Sequence, residues 1–167
     1  EGNGQSELGE AIAGLRKVER GQILLDGHDI TNKSPLKIRR EGLAHIPEDR
    51  NDRGLNRSHT FAENMLAAEI RDRPYSRLGV LSSKKIMEEA RARSEKFDIR
   101  PRDPANIAGS LSGGNAQKIV VARELGAPGK KFLIAAQPTR GIDIGNIEGI
   151  RKMIDEAKAT GMAVLLI

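Results

Sequence analysis

The sequence predicts an α/β domain built on a mainly parallel sheet and interrupted by a helical insertion, and three observations carry that expectation. Near the end of the chain an apolar run at 131–136, an amphipathic stretch at 145–160 and a second apolar run at 162–167 follow one another. Strand, helix, buried strand is the pattern of a βαβ unit in a sheet covered on both faces. Between about 58 and 125 the strand-like runs vanish, and helical stretches such as 60–70 and 83–97 take over. A glycine turn, Gly2-Asn3-Gly4, leads straight into an apolar-periodic segment near Ser6.

Taken in order, Leu8, Ala11, Ile12 and Leu15 recur at helical spacing and Gly14 supplies a stop. Residues 21–25 read as a strand closed by the turn pair Asp26-Gly27. Ser34 and Pro35 make a cap and first-turn pair for a short helix ending near Gly42, and 43–46 is another short strand before Pro47. Pro101 and Pro104 break the chain ahead of Gly113-Gly114 and a helix through 116–125. In the helix at 145–160, Ile147, Ile150, Ile154 and Ala157 form the apolar stripe. The expected division is a core of 1–57 and 120–167, with a helical subdomain over about 58–119. Both ends fall inside elements, so the reading expects a longer polypeptide around this stretch.

Composition narrows the function classes. A chain of 167 residues is about one domain, and a hydrophobic content of 38% with only 2% aromatic residues implies an aliphatic core. No apolar run approaches the ~18 residues a membrane helix needs. Zero cysteines exclude disulfide and thiolate chemistry. The net charge of +5 comes from Arg39, Arg40, Arg50, Arg53, Arg71, Arg91, Arg93 and others spread among acids. That is the pattern of a solvated mixed surface rather than a nucleic-acid face. His28, His45 and His59 lie far apart, without metal-ligand spacing.

Three short stretches are candidates for chemistry. A phosphate-binding loop needs glycines that let successive backbone N–H groups turn inward, a lysine for the phosphates and a hydroxyl for magnesium. In 1–7, Gly2, Gly4 and Ser6 occupy the places of the last two glycines and the hydroxyl, while Gln5 stands where the lysine belongs. An ordinary glycine turn capping a helix has the same composition. In 111–115, Leu-Ser-Gly-Gly-Asn, a serine and two glycines open a helix and offer N–H groups and a hydroxyl to an anion. In 132–143 an apolar strand should end in two acids that hold magnesium and polarise a water; those positions are Ala136 and Gln137.

The order of these strings, together with Ile-Pro-Glu-Asp-Arg at 46–50 and Ala-Ala-Gln-Pro-Thr-Arg-Gly-Ile-Asp at 135–143, resembles an ATP-binding-cassette (ABC) ATPase. It is most similar to the second cassette of bacterial carbohydrate-type importers, which carry two cassettes in one polypeptide, and within them to the nucleoside branch. The resemblance covers essentially the whole chain. It implies a P-loop NTPase core with an inserted helical subdomain, and ATP and Mg2+ as cofactors. Gly2, Asn3, Gly4, Gln5, Ser6 and Glu7 correspond to the nucleotide loop, with Ser6 as magnesium ligand, and Glu48 stands at the glutamine switch. Ser112, Gly113, Gly114 and Asn115 correspond to the signature, and Asp143 to the acidic loop at the interface between cassettes. Ala116 departs from the glutamine common there, and the switch histidine lies beyond Ile167. Implied partners are a second cassette, membrane permease subunits and, indirectly, a substrate-binding protein, on the cytoplasmic side of the membrane and without nucleic acid.

Four departures from that family pattern predict a cassette that does not hydrolyse ATP. Gln5 keeps a donor but lacks the cation, and Ala136 removes a carboxylate. Gln137 orients a water but cannot accept its proton, a loss of about 10²–10⁴ in rate. Glu48 adds a negative charge near the γ-phosphate position, or serves there as a metal ligand. With 111–115 intact, this cassette is expected to complete its partner's ATP site. The rivals are an ordinary hydrolysing cassette, which needs lysine at 5 and acids at 136 and 137, and a soluble ABC-type protein acting on nucleic acid or ribosomes.

Overall fold

In the computed structural model, which describes residues 3–167, Gly4 has φ 88° and its chain turns directly into helix α1, Gln5–Ile12. The buried residue of α1 is Gly9, whereas Leu8 is 52% exposed and Leu15 56%. The expected apolar stripe is therefore rotated. Without a side chain at Gly9 the helix lies close to the sheet, where a Cβ would meet Ile167 Cδ1 at 3.5 Å and Ile134 Cγ2 at 3.7 Å. Gly14, at φ +74°, does end this segment: a Cβ there would stand 2.6 Å from the Lys33 carbonyl oxygen.

The strand expected at 21–25 shrinks to β1, Leu24–Leu25, paired antiparallel with β2, His28–Asp29. Asp26 and Gly27 both take positive φ, the turn that matches hairpin twist. Helix α2, Pro35–Arg40, starts on its proline, since Ser34 makes no side-chain cap bond. Strand β3, Leu43–Ile46, follows, and then a π-helical turn, Arg50–Gly54, capped by Asp49.

Helix α3, Phe61–Leu66, opens with a reciprocal capping box of Thr60 and Glu63. The next stretch is not free of strands: β4, Ser76–Arg77, pairs antiparallel with β5, Val80–Leu81. Leu78 and Gly79 turn between them at φ 52° and 81°. Two-residue strands are too short to leave an alternating pattern. Helix α4, Ser83–Lys96, and a 3₁₀ turn, Ala108–Ser110, lead to α5, Gly113–Gly126, capped by Ser112. Strand β6, Phe132–Ala135, helix α6, Ile144–Ala159, and strand β7, Ala163–Leu166, complete the described chain.

Strands β3, β6 and β7 form a parallel sheet in that order, with Leu43 opposite Phe132 and Phe132 opposite Ala163. Period-2 alternation sends its side chains to two apolar clusters. Leu43 and Ile134 join Ala13, Leu25, Ile30 and Ile38 on one face. Ala44, Ile46, Leu133 and Ala135 face a larger cluster with Phe61 and Met65 of α3 and Ile119 and Val120 of α5. Helix α5 buries seven consecutive residues, Ala116 to Ala122, as a helix enclosed on all sides does.

Within this apolar setting Glu124 of α5 is fully buried. Its carboxylate accepts from Arg39 Nη2 at 2.9 and 2.8 Å, from Arg123 Nε at 2.8 Å and from the His45 backbone N–H at 2.9 Å. Arg123 Nη1 also donates to the Gly54 carbonyl at 2.7 Å. Burial pushes the Glu124 carboxyl pKa up, but Arg123, Arg39 and the His45 N–H together bring it below the ordinary value. A single carboxylate thus joins α2, β3 and α5 and, through Arg123, the π-helical turn.

Replacing Glu124 with Gln keeps the shape and removes the charge opposite two arginines. The expected loss is about 3 kcal/mol, read from urea unfolding of the parent and variant proteins. A second expectation concerns acid. Burial lowers the imidazole pKa of His45 from its ordinary 6.5. The unfolded chain then binds a proton first as pH falls, so this contribution is complete above 6.5 and is lost below it, as pH falls through the folded value. Melting temperature measured against pH should decline less steeply below that point in His45→Gln than in the parent.

Candidate functional site

The carboxyl ends of parallel strands are where α/β sheets bind ligands, and two adjoining clefts lie there. They measure ≈ 340 and ≈ 550 Å³ and share Ser6, Glu48, Ala136 and Ile167. Gln5, Glu7 and Gln137 border the larger one; Glu10, His45, Asp49, Arg53 and Arg140 border the smaller. Of the residues predicted for a nucleotide loop, Gln5, Ser6 and Glu7 therefore stand together with Glu48, Ala136 and Gln137. Gly2 lies outside the described residues.

The loop Asn3-Gly4 is open on its glycine: a Cβ at Gly4 would meet nothing within 4 Å. The Gln5 side chain folds back, and its Oε1 accepts the Asn3 backbone N–H at 3.2 Å. That backbone N–H is thereby occupied. Ala136 brings only a methyl group, its backbone N–H being paired with the Ile46 carbonyl at 3.0 Å.

Glu48, two residues after β3, is the hub of the cleft. Its Oε1 accepts from Arg140 Nη1 and from Gln137 Nε2, the latter at 3.1 Å. Gln137 has φ 43°, and its backbone N–H donates to the Ile167 carbonyl at 2.8 Å. Arg50 grips the next loop by two successive carbonyls, Arg140 at 2.6 Å and Gly141 at 3.0 Å. On the other wall Glu10 pairs with Arg53 at 2.6 Å and Arg16 at 3.1 Å, and these arginines hold its carboxyl below the usual range. Backbone N–H groups of Asp52 and Asn51 do the same for Asp49.

The second predicted set assembles elsewhere. Ser112 Oγ accepts from Asn115 Nδ2 at 3.1 Å, and Asn115 Oδ1 accepts the Arg100 N–H at 2.7 Å. A Cβ at Gly113 would stand 3.0 Å from Arg50 Nη2, and one at Gly114 only 2.3 Å from Asn146 Nδ2. Asn146 Nδ2 donates to both Asp143 oxygens, at 3.0 and 2.9 Å, and its backbone N–H donates to Oδ1 at 3.1 Å; together they lower the Asp143 pKa, and the backbone bond caps α6. Ser112, Gly113, Gly114, Asn115 and Asp143 thus form one rim around Arg50 and Asn146. None of them borders the two clefts.

Arg140, Arg50 and Arg53 are the site residues that sequence reasoning missed as participants. The signal available was positional: Glu48 and Arg140 each follow closely on a parallel strand, and adjacent strands deliver such residues to one edge.

A protein-held magnesium ion does not fit this residue set. The ion needs near-octahedral oxygen ligation, while Ala136 offers none and Glu48 Oε1 is committed to Arg140 and Gln137. That leaves the Ser6 hydroxyl and the second oxygen of a Glu48 carboxylate whose charge Arg140 already balances. Among the described residues no group of three or more His, Cys, Asp or Glu side chains is arranged to hold a metal ion.

Residues 1–140 match the family described as ABC transporter. The chain is 45% identical over 167 residues to the guanosine import ATP-binding protein NupO of Bacillus subtilis, covering 100% of this chain and 32% of that protein. It is 46% identical to the nucleoside import ATP-binding protein NupA of Lactococcus lactis, again over 100% of this chain and 33% of the relative. The chain thus spans about a third of the length of these relatives. Among solved structures, a nucleotide-free ATP-binding cassette from an ABC transporter superimposes with a TM-score of 0.80 at 26% identity, covering 99% of this chain and 66% of that one. An ATP-binding cassette in its ADP conformation gives 0.76 at 26% identity, over 98% and 65%. With its parallel sheet, its glycine turn at α1 and its match over most of its length, the chain belongs to the ABC transporter family of ATP-binding cassettes.

Proposed function

We propose that this chain is the second, degenerate cassette of an ABC importer for sugars or nucleosides, binding ATP without turning it over. The observation that carries the reading is the meeting of Gln5, Ala136 and Gln137 at one pair of clefts. A general base is missing at the position where a water would be activated, and the carboxamide of Gln137 cannot take its place. The nucleoside branch is supported by the likeness to NupO and NupA, proteins of guanosine and nucleoside import.

In this reading the rim of Ser112, Gly113, Gly114, Asn115 and Asp143 serves a second cassette, preceding this one in the same polypeptide. Its position outside this chain's own clefts supports that role, since a helix N-terminus directed at a neighbour's phosphates stabilises developing charge there. The core of 1–57 and 120–167 holds the nucleotide, and the subdomain of about 58–119 meets permease subunits on the cytoplasmic face. A substrate-binding protein acts on the far side of the permease. Among the described residues no helix is long and apolar enough to cross a membrane.

The test compares Ser112→Arg with Gln137→Ala in the full-length polypeptide reconstituted with its permease. Ser112→Arg puts bulk into the shared site and should lower ATPase and transport by about 10²-fold or more, the scale of losing an oriented donor. Gln137→Ala should retain most of both. Equal losses, or the reverse order, would assign the work to this cassette's own clefts.

A further inference from the structure

We infer that the nucleotide site of this chain takes a nucleoside triphosphate without a metal ion, with Arg140 as the cation that faces the phosphates. The inference rests on reading the clefts as a degenerate nucleotide site. A triphosphate carries several negative charges, and withdrawing them from water without compensation is costly. In this chain neither a lysine nor a carboxylate-supported ion is present to supply it: Gln5 and Ala136 occupy those places.

Two cations border the smaller cleft, Arg53 and Arg140. Arg53 is committed to Glu10 at 2.6 Å. Arg140 donates to Glu48 through Nη1, and its side chain is 58% exposed, so the guanidinium fork retains donors for a phosphate. Its backbone is fixed on both sides. The Arg140 N–H is bonded to the Gln137 carbonyl at 3.0 Å, and its own carbonyl is held by Arg50. The arm that would meet the phosphates is set in place before any ligand arrives, which lowers the ordering cost of binding.

The acids of the same cleft favour this over a metal. Glu10, Glu48 and Asp49 are each satisfied by arginines, by Gln137 or by backbone N–H groups. A cation at Glu48 meets a carboxylate whose charge Arg140 already balances. A phosphate needs only to share the arginine that pair already presents.

Hydrogen exchange of the peptide spanning 3–12, in the full-length polypeptide with its permease, reads this site locally. The probe is ATP, titrated once in EDTA and once in magnesium. The two protection midpoints should agree within about twofold, and Arg140→Ala should weaken both by about tenfold, the cost of a charge-assisted hydrogen bond. Glu48→Gln releases the guanidinium and should tighten both midpoints by a few-fold. Protection that requires magnesium overturns the inference, as does a midpoint unmoved by Arg140→Ala. Loss of the magnesium-dependent signal in Glu48→Gln would instead make Glu48 a metal ligand and also overturn it. The Ser112→Arg comparison reads the neighbouring site and is insensitive to all of these, so this inference can fail while the degenerate reading stands.

Discussion

Glu124 sits fully buried in a mostly apolar core and holds two arginines and one backbone N–H. Its geometry reaches the clefts by a short route. Through His45 it fixes β3, whose end delivers Glu48; through Arg123 and the Gly54 carbonyl it fixes the π-helical turn that carries Arg50 and Arg53. A buried charge of this kind adds little net stability compared with an apolar replacement, but removing one partner is expensive. Here its consequence is positional. Asn51, Asp52 and Arg53 of the turn after β3 are exposed, and the Arg123 hydrogen bond to Gly54 helps to locate it.

From that turn the ordering passes to the loop after β6. Arg50 holds the backbone at Arg140 and Gly141, and Glu48 holds the Arg140 side chain. The same guanidinium of Arg50 borders Gly113 at the start of α5. One side chain therefore touches both the edge of the chain's own clefts and the rim that lies outside them. Arg140 pairs with Glu48 at the cleft mouth, so the isolated negative charge that the sequence suggests at Glu48 does not exist in the folded chain.

The βαβ unit was legible because its two strands are continuous apolar runs and its helix carries Ile150 and Ile154 at the proper period; β7 itself is only half-buried, with Leu166 68% exposed. Ser112 was legible because capping is local chemistry, decided within three residues; Asp143 entered only through the family resemblance, and its cap on α6 was not read from the sequence. The orientation of α1 was not legible: Leu8 scores as core by type, and only the approach allowed at Gly9 turns the helix the other way. Nor was the pairing of Glu48 with Arg140, separated by 92 residues in sequence. Their contact depends on β3 and β6 being neighbours, which no local pattern states. Arg50 reads in the sequence as one of many dispersed surface charges, and becomes specific only where two carbonyls converge on it.

Surface loops are ordinarily where related chains gain and lose residues. The segment from Gln137 to Asp143 lacks that freedom, although much of it is exposed. Its first N–H is tied to the Ile167 carbonyl, two successive carbonyls are held by a planar guanidinium, and its last side chain starts a helix. An inserted residue would slide one carbonyl off Arg50 and rotate the start of α6 by about 100°, a single helical step. Asn146 would then leave Gly114, and the beginning of α5 would lose the neighbour that its missing side chain accommodates. The stretch thus acts as a ruler, its length set by the contacts at its two ends.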